Sequence, residues 1–398
     1  MSGTTPHASR TIALLAVAAF ASGANLRVAD PLIPKLALQF SIGIGTAAGI
    51  IAAFTLAYGL FQLVSGPLAD RTGKLRTVAG ALLIAAIASI ACAYAPTFGL
   101  LEIMRFATGI GAGAIIPLSL AFLGDNVPYG RRQRMLGRFM GAVLTGQVFG
   151  PLIGGVLSEY VGWREVFALL GVVFLLVALP LLVEAKRQVF RPSHAGFNPL
   201  ARYPALLSDP WVRTVVATVA VEGMLFYGAL AFLGAYLKQR FGLGYGLIGL
   251  TVAGFSLGGV VYALSVSWLV ERLGERGLAL AGGCMMLVCY AGIALIQSWA
   301  LQVPFFVLLG FGFYMLHNTL QTRATEMAPE TRASAVSLFA FCLFLGQALG
   351  ISLFGVGIEA VGYAPMLLLA GVGLALVGIW FRAQLTRHRR PFAERGPA

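Results

Sequence analysis

Residues 66–76 read Gly66-Pro-Leu-Ala-Asp70-Arg71-Thr-Gly73-Lys74-Leu-Arg76, a charged stretch between two long apolar runs. The same landmarks return about 201 residues later, where Ser267-Trp-Leu-Val-Glu271-Arg272-Leu-Gly274-Glu275 also separates two apolar runs. An acid, an arginine and a glycine therefore recur at one spacing. An internal offset close to half the chain length indicates a duplicated architecture.

Other landmarks repeat at nearly the same offset. They are Gly109-x-Gly111 with Gly310-x-Gly312, Asp125 with Glu326, Pro128 with Pro329, Arg131 with Arg332, Gly146-Gln147 with Gly346-Gln347, and Val161-Gly162-Trp163 with Val361-Gly362-Tyr363. We therefore predict two parallel halves, residues 1–184 and 210–382, joined by a linker at 185–209 and followed by a basic tail at 383–398. Parallel repeats are typical of carriers in which two bundles rock around a central site.

The composition places the chain in a membrane. Of 398 residues, 59% are hydrophobic and only 11% are charged, against about 25% charged in soluble domains. One crossing needs about 20 apolar residues. We predict an all-α membrane protein with twelve transmembrane helices, at 11–30, 43–65, 76–95, 97–123, 134–157, 163–184, 211–237, 246–268, 277–297, 301–323, 332–355 and 364–382.

The net charge of +13 reflects topology rather than nucleic-acid binding. With a cytoplasmic N-terminus, 22 of the 28 basic residues lie on the cytoplasmic side, in loops and at the adjoining ends of spans. Four lie outside, Lys35, Arg164, Lys238 and Arg240, and two lie deep within spans, Arg27 and Arg105. This bias predicts that both termini are cytoplasmic, and we expect membrane lipid rather than nucleic acid as a partner. Reading the first run as a cleaved signal peptide is the alternative, but it would leave eleven spans and break the repeat.

The sequence offers little for a cofactor or a reaction. Its four cysteines lie in predicted spans without metal-ligand spacing, so we expect no metal. There is no GxxxxGK[ST] phosphate loop, no HExxH and no GxSxG. These absences speak against an intramembrane lipid-modifying enzyme, the alternative from another class, and we expect neither enzymatic activity nor a cofactor.

Three motifs resemble those of the major facilitator superfamily, and the resemblance covers nearly the whole chain. Residues 66–76 resemble its signature between helices two and three. Arg105-x3-Gly109-x-Gly111 resembles the fourth-helix motif of proton-coupled members, and Gly146-x3-Gly150-Pro151-x2-Gly154-Gly155 resembles the fifth-helix motif of antiporters. The resemblance implies a monomeric drug:proton antiporter of the twelve-span branch, in the plasma or inner membrane, that performs multidrug efflux by alternating access.

The resemblance also implies residues that govern the conformational cycle. Asp70 would latch the two bundles in an outward-open state against the start of span eleven near Ala333, in a gating set that comprises Gly66, Asp70, Arg71, Gly73, Glu271 and Arg272. A solvated turn is the alternative.

Span five carries a second candidate gating set: Gly146, Gly150, Pro151, Gly154 and Gly155. Its glycines allow close backbone approach between helices, and its proline is expected to kink the span. Ordinary packing glycines are the alternative.

Charged residues inside the predicted spans are candidates for proton coupling, because each is costly in lipid unless it meets a partner or water. Glu222 lies about ten residues into span seven, roughly 15 Å deep. Arg105 lies about 12 Å from the outer surface and has Glu102 three residues before it as a local partner. Asp30 is expected near the outer rim, either as a proton carrier or as an interfacial cap beside Pro31. An ion pair with Arg27, one turn before it, would favour the charged form of Asp30 and so speaks against the role of proton carrier.

Aromatic and amide side chains around these charges suggest the substrate. Phe226 shares a helical face with Glu222, Tyr227 lies alongside, and Tyr314, His317 and Asn318 recur on span ten. An aromatic and amide-lined cavity around one acid suits small lipophilic or cationic compounds, with protons as the driving ion. Arg27 is a further candidate substrate-binding residue. Ordinary core packing is the alternative for each aromatic. A carrier of a sugar, amino acid or organic anion remains open, with Arg105 and Arg27 holding negative charge.

Overall fold

The computed structural model describes residues 6–187 and 200–388, and the regular structure in them is helical. A helix satisfies its backbone hydrogen bonds within one segment, which a bilayer without water requires. Eleven helical segments are long and apolar enough to cross a membrane. Residues 188–199 of the predicted linker and 389–398 of the predicted tail lie outside the described residues.

The helices of the first predicted half are α1 (Pro6–Arg27), α2 (Ile33–Phe40), α3 (Ile44–Ala47), α4 (Gly49–Thr72), α5 (Lys74–Ala93), α6 (Phe98–Asn126), α7 (Tyr129–Leu152), α8 (Ser158–Tyr160) and α9 (Trp163–Arg187). The linker contains α10 (Tyr203–Ser208). The second predicted half contains α11 (Pro210–Leu230), α12 (Leu233–Phe241), α13 (Tyr245–Leu295), α14 (Gln302–Glu326), α15 (Arg332–Val361) and α16 (Tyr363–Arg387).

The first span is longer than predicted and is broken in its outer part. After α1 ends at Arg27, a short 3₁₀ turn at Asp30–Leu32 leads into α2, and the apolar segment continues to Phe40. Pro31 lacks a backbone donor, which explains the break. Asp30 therefore lies about ten residues, or roughly 15 Å, before the end of the span, and the prediction that it sits at the rim was wrong.

The break recurs in the second half, at the position that the repeat predicts. Span seven is divided between α11 and α12 at residues 231–232, close to 201 residues after the first break. The motif at 66–76 also departs from the prediction, because α4 continues through Asp70 to Thr72. Gly73 alone makes the turn into α5, with φ of 92°, a value that favours glycine.

The long helix α13 contains two predicted spans and reverses at Gly274, where φ is 61° and ψ is 173°. The direction follows from its contacts with α14. Before the reversal, successive residues of α13 contact residues of increasing number on α14: Gly254 lies against Phe306, and Tyr262 lies against Asn318. After the reversal, the residue numbers of the partners decrease along the chain: Gly282 lies against Gly312, and Gly292 lies against Phe305. The two parts of α13 therefore run in opposite directions.

Glycines of α7 lie against the backbone of α1, as the predicted small face requires. A Cβ on Gly146 would lie 2.1 Å from the carbonyl oxygen of Phe20, and one on Gly150 would lie 2.5 Å from that of Ala24. Just beyond the ends of these two helices, a Cβ on Gly154 would lie 2.1 Å from the carbonyl oxygen of Val28. The hydrophobic effect does not favour association of helices within lipid, so the van der Waals contact that this close approach allows stabilises the helix pair instead.

Beyond Pro151 the fifth span widens into a π-helical turn, Ile153–Leu157, before α8. This local irregularity follows the proline, which removes one backbone donor. It presents Gly155 to the second half, where a Cβ would lie 2.3 Å from the carbonyl oxygen of Tyr245. The predicted irregularity of span five thus lies at a contact between the halves.

Two glutamates join the halves at one end of the bundle. The backbone amide of Gly246, at the start of α13, donates to Oε2 of Glu159 over 2.6 Å. The amide of Gly45, in α3, donates to Oε1 of Glu359 over 3.0 Å. We name these two contacts the carboxylate clamps. Their glutamates are 200 residues apart and their glycines 201, so the clamps are repeat-related.

The opposite end, which carries residues 66–76, shows no equivalent contact among the described residues. A Cβ on Gly66 would meet no heavy atom within 4 Å. Asp70 is exposed and makes no hydrogen bond or ion pair in the described part of the chain. The predicted latch near Ala333 is not formed in this conformation.

Ion pairs at this second end stay within each half. Lys74 pairs with Asp125 between α5 and α6, and Glu275 pairs with Arg323 between α13 and α14. Lys74 and Glu275 are repeat equivalents of opposite charge. In the described part of the linker, the hydroxyl of Tyr203 donates to the carbonyl of Leu63 over 3.1 Å, which joins the linker to the first half.

We expect Gly150→Val to destabilise the protein by about 1–3 kcal/mol, because the new side chain collides with the carbonyl of Ala24. Thermal unfolding followed by size-exclusion chromatography in detergent measures the change. Gly141→Ala is the control on the same helix, since a Cβ there meets nothing within 4 Å, and it should not lower the melting temperature. Equal stability of the two variants would contradict the packing role of Gly150.

Candidate functional site

The first buried pair of titratable side chains lies in the second half, between α11 and α14. Oε2 of Glu222 lies 2.8 Å from Nδ1 of His317. Glu222 is fully buried, and its other oxygen, Oε1, has no hydrogen-bond partner among the described residues. His317 stacks on Phe313 with ring centroids 4.9 Å apart. The sequence predicted both residues but not their direct contact.

The second pair lies in the first half, at the break between α1 and α2. Nε of Arg27 lies 3.3 Å from Oδ2 of Asp30, and both side chains are buried. The predicted pairing is confirmed. Neither carboxylate oxygen of Asp30 accepts a hydrogen bond within the described chain, so the pair is held by charge alone.

Arg27 also crosses to the second half. Its guanidinium carbon lies 5.2 Å from the ring centroid of Tyr227 and 5.1 Å from that of Phe255. Both distances are within the range of a cation–π interaction. The charged group of one half is thus stabilised by two rings of the other.

Arg105 is held in a different way from the prediction. Its guanidinium donates to Oδ1 of Asn25 over 2.7 Å and to the carbonyl of Asn25 over 3.3 Å. It lies 4.3 Å above Phe54 and 5.1 Å from Phe167. No ion pair joins Arg105 to Glu102 in the described chain, so that local pairing was wrong.

Glu102 has a different environment that explains the absent pair. Its carboxylate lies beside Gly49, where a Cβ would be 2.5 Å from Oε1. Gly49 begins α4, and the partial positive charge of a helix N-terminus favours a carboxylate. Asn25 is the residue that the sequence did not indicate, because its role depends on the distance between α1 and α6.

Five aromatic rings, which we name the aromatic cluster, lie between the two pairs. Phe226 stacks on Phe313 at 4.1 Å, and Phe313 contacts Tyr227 at 5.3 Å. Phe255 contacts Phe226 at 5.4 Å and Tyr314 at 6.2 Å. The predicted residues Phe226, Tyr227 and Tyr314 are therefore brought together.

Sequence reasoning missed Phe255, although the offset contained a signal for it. Phe255 is the repeat equivalent of Phe54, since 201 residues separate them. Phe54 lies over Arg105, and Phe255 lies over Arg27. The two halves thus place equivalent rings over different arginines.

Gln147 links the halves beside the cluster. Its Oε1 accepts from the hydroxyl of Tyr314 over 3.4 Å, and its carbonyl accepts from the hydroxyl of Ser256 over 3.0 Å. Asn318, predicted as a substrate ligand, instead donates to the hydroxyl of Tyr262 over 3.0 Å. That contact stays within the second half.

The arrangement offers each half one buried carboxyl group with a basic partner, separated by aromatic rings. A buried carboxyl group favours its neutral form, and a neighbouring cation favours the charged form. The balance can therefore change when the halves move. The described residues contain no group of three or more histidines, cysteines or acids that could hold a metal ion.

Comparison with known proteins identifies the family. The model of the Major Facilitator Superfamily matches residues 15–351. The chain is 25% identical over 342 residues to the uncharacterized MFS-type transporter YceJ of Bacillus subtilis, covering 84% of this chain and 86% of that one. It is 24% identical over 386 residues to the multidrug resistance protein Stp of Mycobacterium tuberculosis, covering 81% and 71%.

The fold agrees with a solved structure. A bacterial homolog of the human lysosomal transporter Spinster, in an inward-facing and unoccupied conformation, superposes with a TM-score of 0.81 at 18% identity. The match covers 98% of this chain and 100% of that one. The chain belongs to the Major Facilitator Superfamily and is a multi-pass membrane transporter rather than an enzyme.

Proposed function

We propose that this transporter exports small lipophilic or cationic compounds in exchange for protons, by alternating access. The observation that carries the proposal is the aromatic cluster with a buried acid on each side, Asp30 in one half and Glu222 in the other. Rings bind lipophilic and cationic groups, and the acids can bind either a proton or a cation. The name of the relative Stp, a multidrug resistance protein, supports drugs as the substrate class.

The proposed topology has twelve crossings in two six-helix halves, with both termini in the cytoplasm. Reversal of α13 at Gly274 supports twelve, because it divides the longest apolar segment into two crossings. The basic residues at the end that carries 66–76 support a cytoplasmic location for that end. The carboxylate clamps then close the outer face, and the conformation opens to the cytoplasm.

The proposed cycle uses Glu222 as proton carrier. In the conformation described, Glu222 contacts His317, whose ring stacks on Phe313 of the aromatic cluster. Opening of the outer face exposes the acid to external protons as the substrate leaves, and return of the halves releases the proton to the cytoplasm. A potential of 100 mV contributes about 2.3 kcal/mol for each net charge moved, so it assists export of a neutral compound. A one-for-one exchange of a proton for a monovalent cation moves no net charge and is driven by the pH gradient.

Asp70 and its neighbours are proposed to act in the other conformation. Exposure of Asp70 and the open space beside Gly66 support this role, since both leave room for span eleven to approach. Glu271 and Arg272, which are exposed in the matching segment of α13, are assigned the equivalent role. Arg105, anchored on Asn25, holds α6 to α1 beside the coupling site.

One observation favours a second candidate, a carrier of an organic anion. Two nitrogens of Arg27, Nε and Nη2, have no hydrogen bond in the described residues. A carboxylate or sulfonate would satisfy them. The direction of gradient-driven transport separates the two candidates.

In liposomes with an imposed pH gradient, we expect ethidium to accumulate in the acidic compartment, because antiport exchanges it for protons. Ethidium keeps its charge at every pH used, so simple acid trapping does not contribute. Dye fluorescence measures the accumulation. Accumulation on the alkaline side would instead indicate symport and would overturn the proposal.

We expect Glu222→Gln to reduce this gradient-driven accumulation to the level of empty liposomes, because the amide cannot carry a proton. Exchange of ethidium down its own gradient should persist. Glu165→Gln, at an exposed position in α9, is the control and should retain accumulation. Full coupling in Glu222→Gln would remove the acid from its proposed role.

The topology is tested by single cysteines in a background that lacks the four native ones. A membrane-impermeant maleimide applied to intact cells should label Gln239→Cys and Ser298→Cys, which lie before and after α13. Arg272→Cys, beside the reversal, should react only after permeabilisation. Labelling of Gln239→Cys and Ser298→Cys from opposite sides would mean that α13 crosses once.

A further inference from the structure

We propose that Arg27 is a tethered occupant of the cation site. In this conformation its guanidinium fills the space between Tyr227 and Phe255 beside Asp30, and a planar organic cation binds by displacing it. The inference rests on the proposed function, which it extends to a class of substrate: cations whose charge is delocalised over a planar group.

The space that Arg27 fills has the features of a cation site. Two aromatic rings lie within about 5 Å of the guanidinium carbon, and an acid lies 3.3 Å from its Nε. The rings belong to the second half and the acid to the first. A ligand in this place would therefore contact both halves, as a transported molecule must.

The guanidinium of Arg27 is held loosely for a buried charge. Nε and Nη2 have no hydrogen bonds, and neither do the two carboxylate oxygens of Asp30, among the described residues. A buried polar group without a hydrogen bond is unfavourable. A ligand with N–H donors aimed at Asp30 would satisfy acceptors that Arg27 leaves unused.

Arg105 provides the contrast within the same protein. It is equally buried and also lies over two rings, but it makes two hydrogen bonds to Asn25. All of its partners belong to the first half. Arg105 is therefore anchored on its own half, whereas Arg27 is the arginine that extends across to the other half.

The position of Arg27 on the backbone allows it to withdraw. It is the last residue of α1, directly before the break that leads to Asp30. Tyr227 lies on α11 and Phe255 on α13, so separation of the halves removes both rings from the guanidinium. Planar stacking distinguishes the ligand further, because a guanidinium stacks on rings in a way that a compact ammonium does not.

The test compares three dyes with the full chain in lipid nanodiscs by equilibrium dialysis, with empty nanodiscs as background. Ethidium is a planar cation, Nile red is neutral, and 8-anilinonaphthalene-1-sulfonate is an anion. Arg27→Gln should bind ethidium about tenfold more tightly than the wild type, because the competing cation is gone. Its affinity for Nile red should not change.

Two matched variants distinguish this effect from general loosening. Arg164→Gln removes an arginine that lies over Trp163, away from the site, and should bind ethidium like the wild type. Arg27→Gln combined with Phe255→Leu should lose the tenfold gain, because one ring of the site is missing. If Arg27→Gln is not monodisperse, Arg27→Lys replaces it, with a smaller gain expected from the less planar cation.

Three results would overturn the inference: equal or weaker ethidium binding by Arg27→Gln, binding of the anionic dye that depends on Arg27, or no binding of ethidium by any variant. The proposed function is judged separately, by accumulation of substrate against a pH gradient. Wild-type antiport with any of these three results would leave that function standing while removing Arg27 as occupant.

Discussion

A charged side chain within a bilayer is stable only beside a partner or water, and this constraint organises the centre of the protein. Each buried charge described here has its own solution. Glu222 meets a histidine, Asp30 meets an arginine three residues away, and Arg105 is bound by an asparagine and two rings. Among these charges, Arg27 is the one that contacts side chains of both halves, Asp30 in the first and two aromatic rings in the second. Its environment therefore changes when the halves separate.

Duplication explains much of the remaining geometry. The break in the first span recurs in the seventh, and the reversal at Gly274 is the repeat equivalent of the turn at Gly73. The repeat preserves geometry more strictly than chemistry. Lys74 and Glu275 have opposite charges, and each forms an ion pair with the helix that follows it, although the partners Asp125 and Arg323 are not repeat equivalents. Phe54 and Phe255 lie over different arginines. An approximate symmetry of backbone therefore supports an asymmetric site.

Contacts between residues close together in the sequence could be predicted from their spacing. Contacts between residues far apart in the sequence depend on how the helices pack and could not. The pairing of Arg27 with Asp30 needed only three residues of separation on one segment. The depth of Asp30 was misjudged because the first span was predicted to end at residue 30, whereas the chain continues as α2. Phe313 and Asn25 gave no signal, since aromatic and amide residues are common in spans and their partners lie far away in sequence. Glu159 and Glu359 did share the repeat offset, so the clamps were within reach of sequence comparison.

The carboxylate clamps have an evolutionary consequence. Their donors are main-chain amides, which every residue except proline supplies, so drift in the donor's side chain does not remove the bond itself. Selection must instead restrict the size of the donor residue, because a Cβ at Gly45 or Gly246 would come within about 3 Å of the partner carboxylate. Each clamp thus depends on a single glutamate, so one nucleotide change in either of two codons can remove a hydrogen bond between the halves.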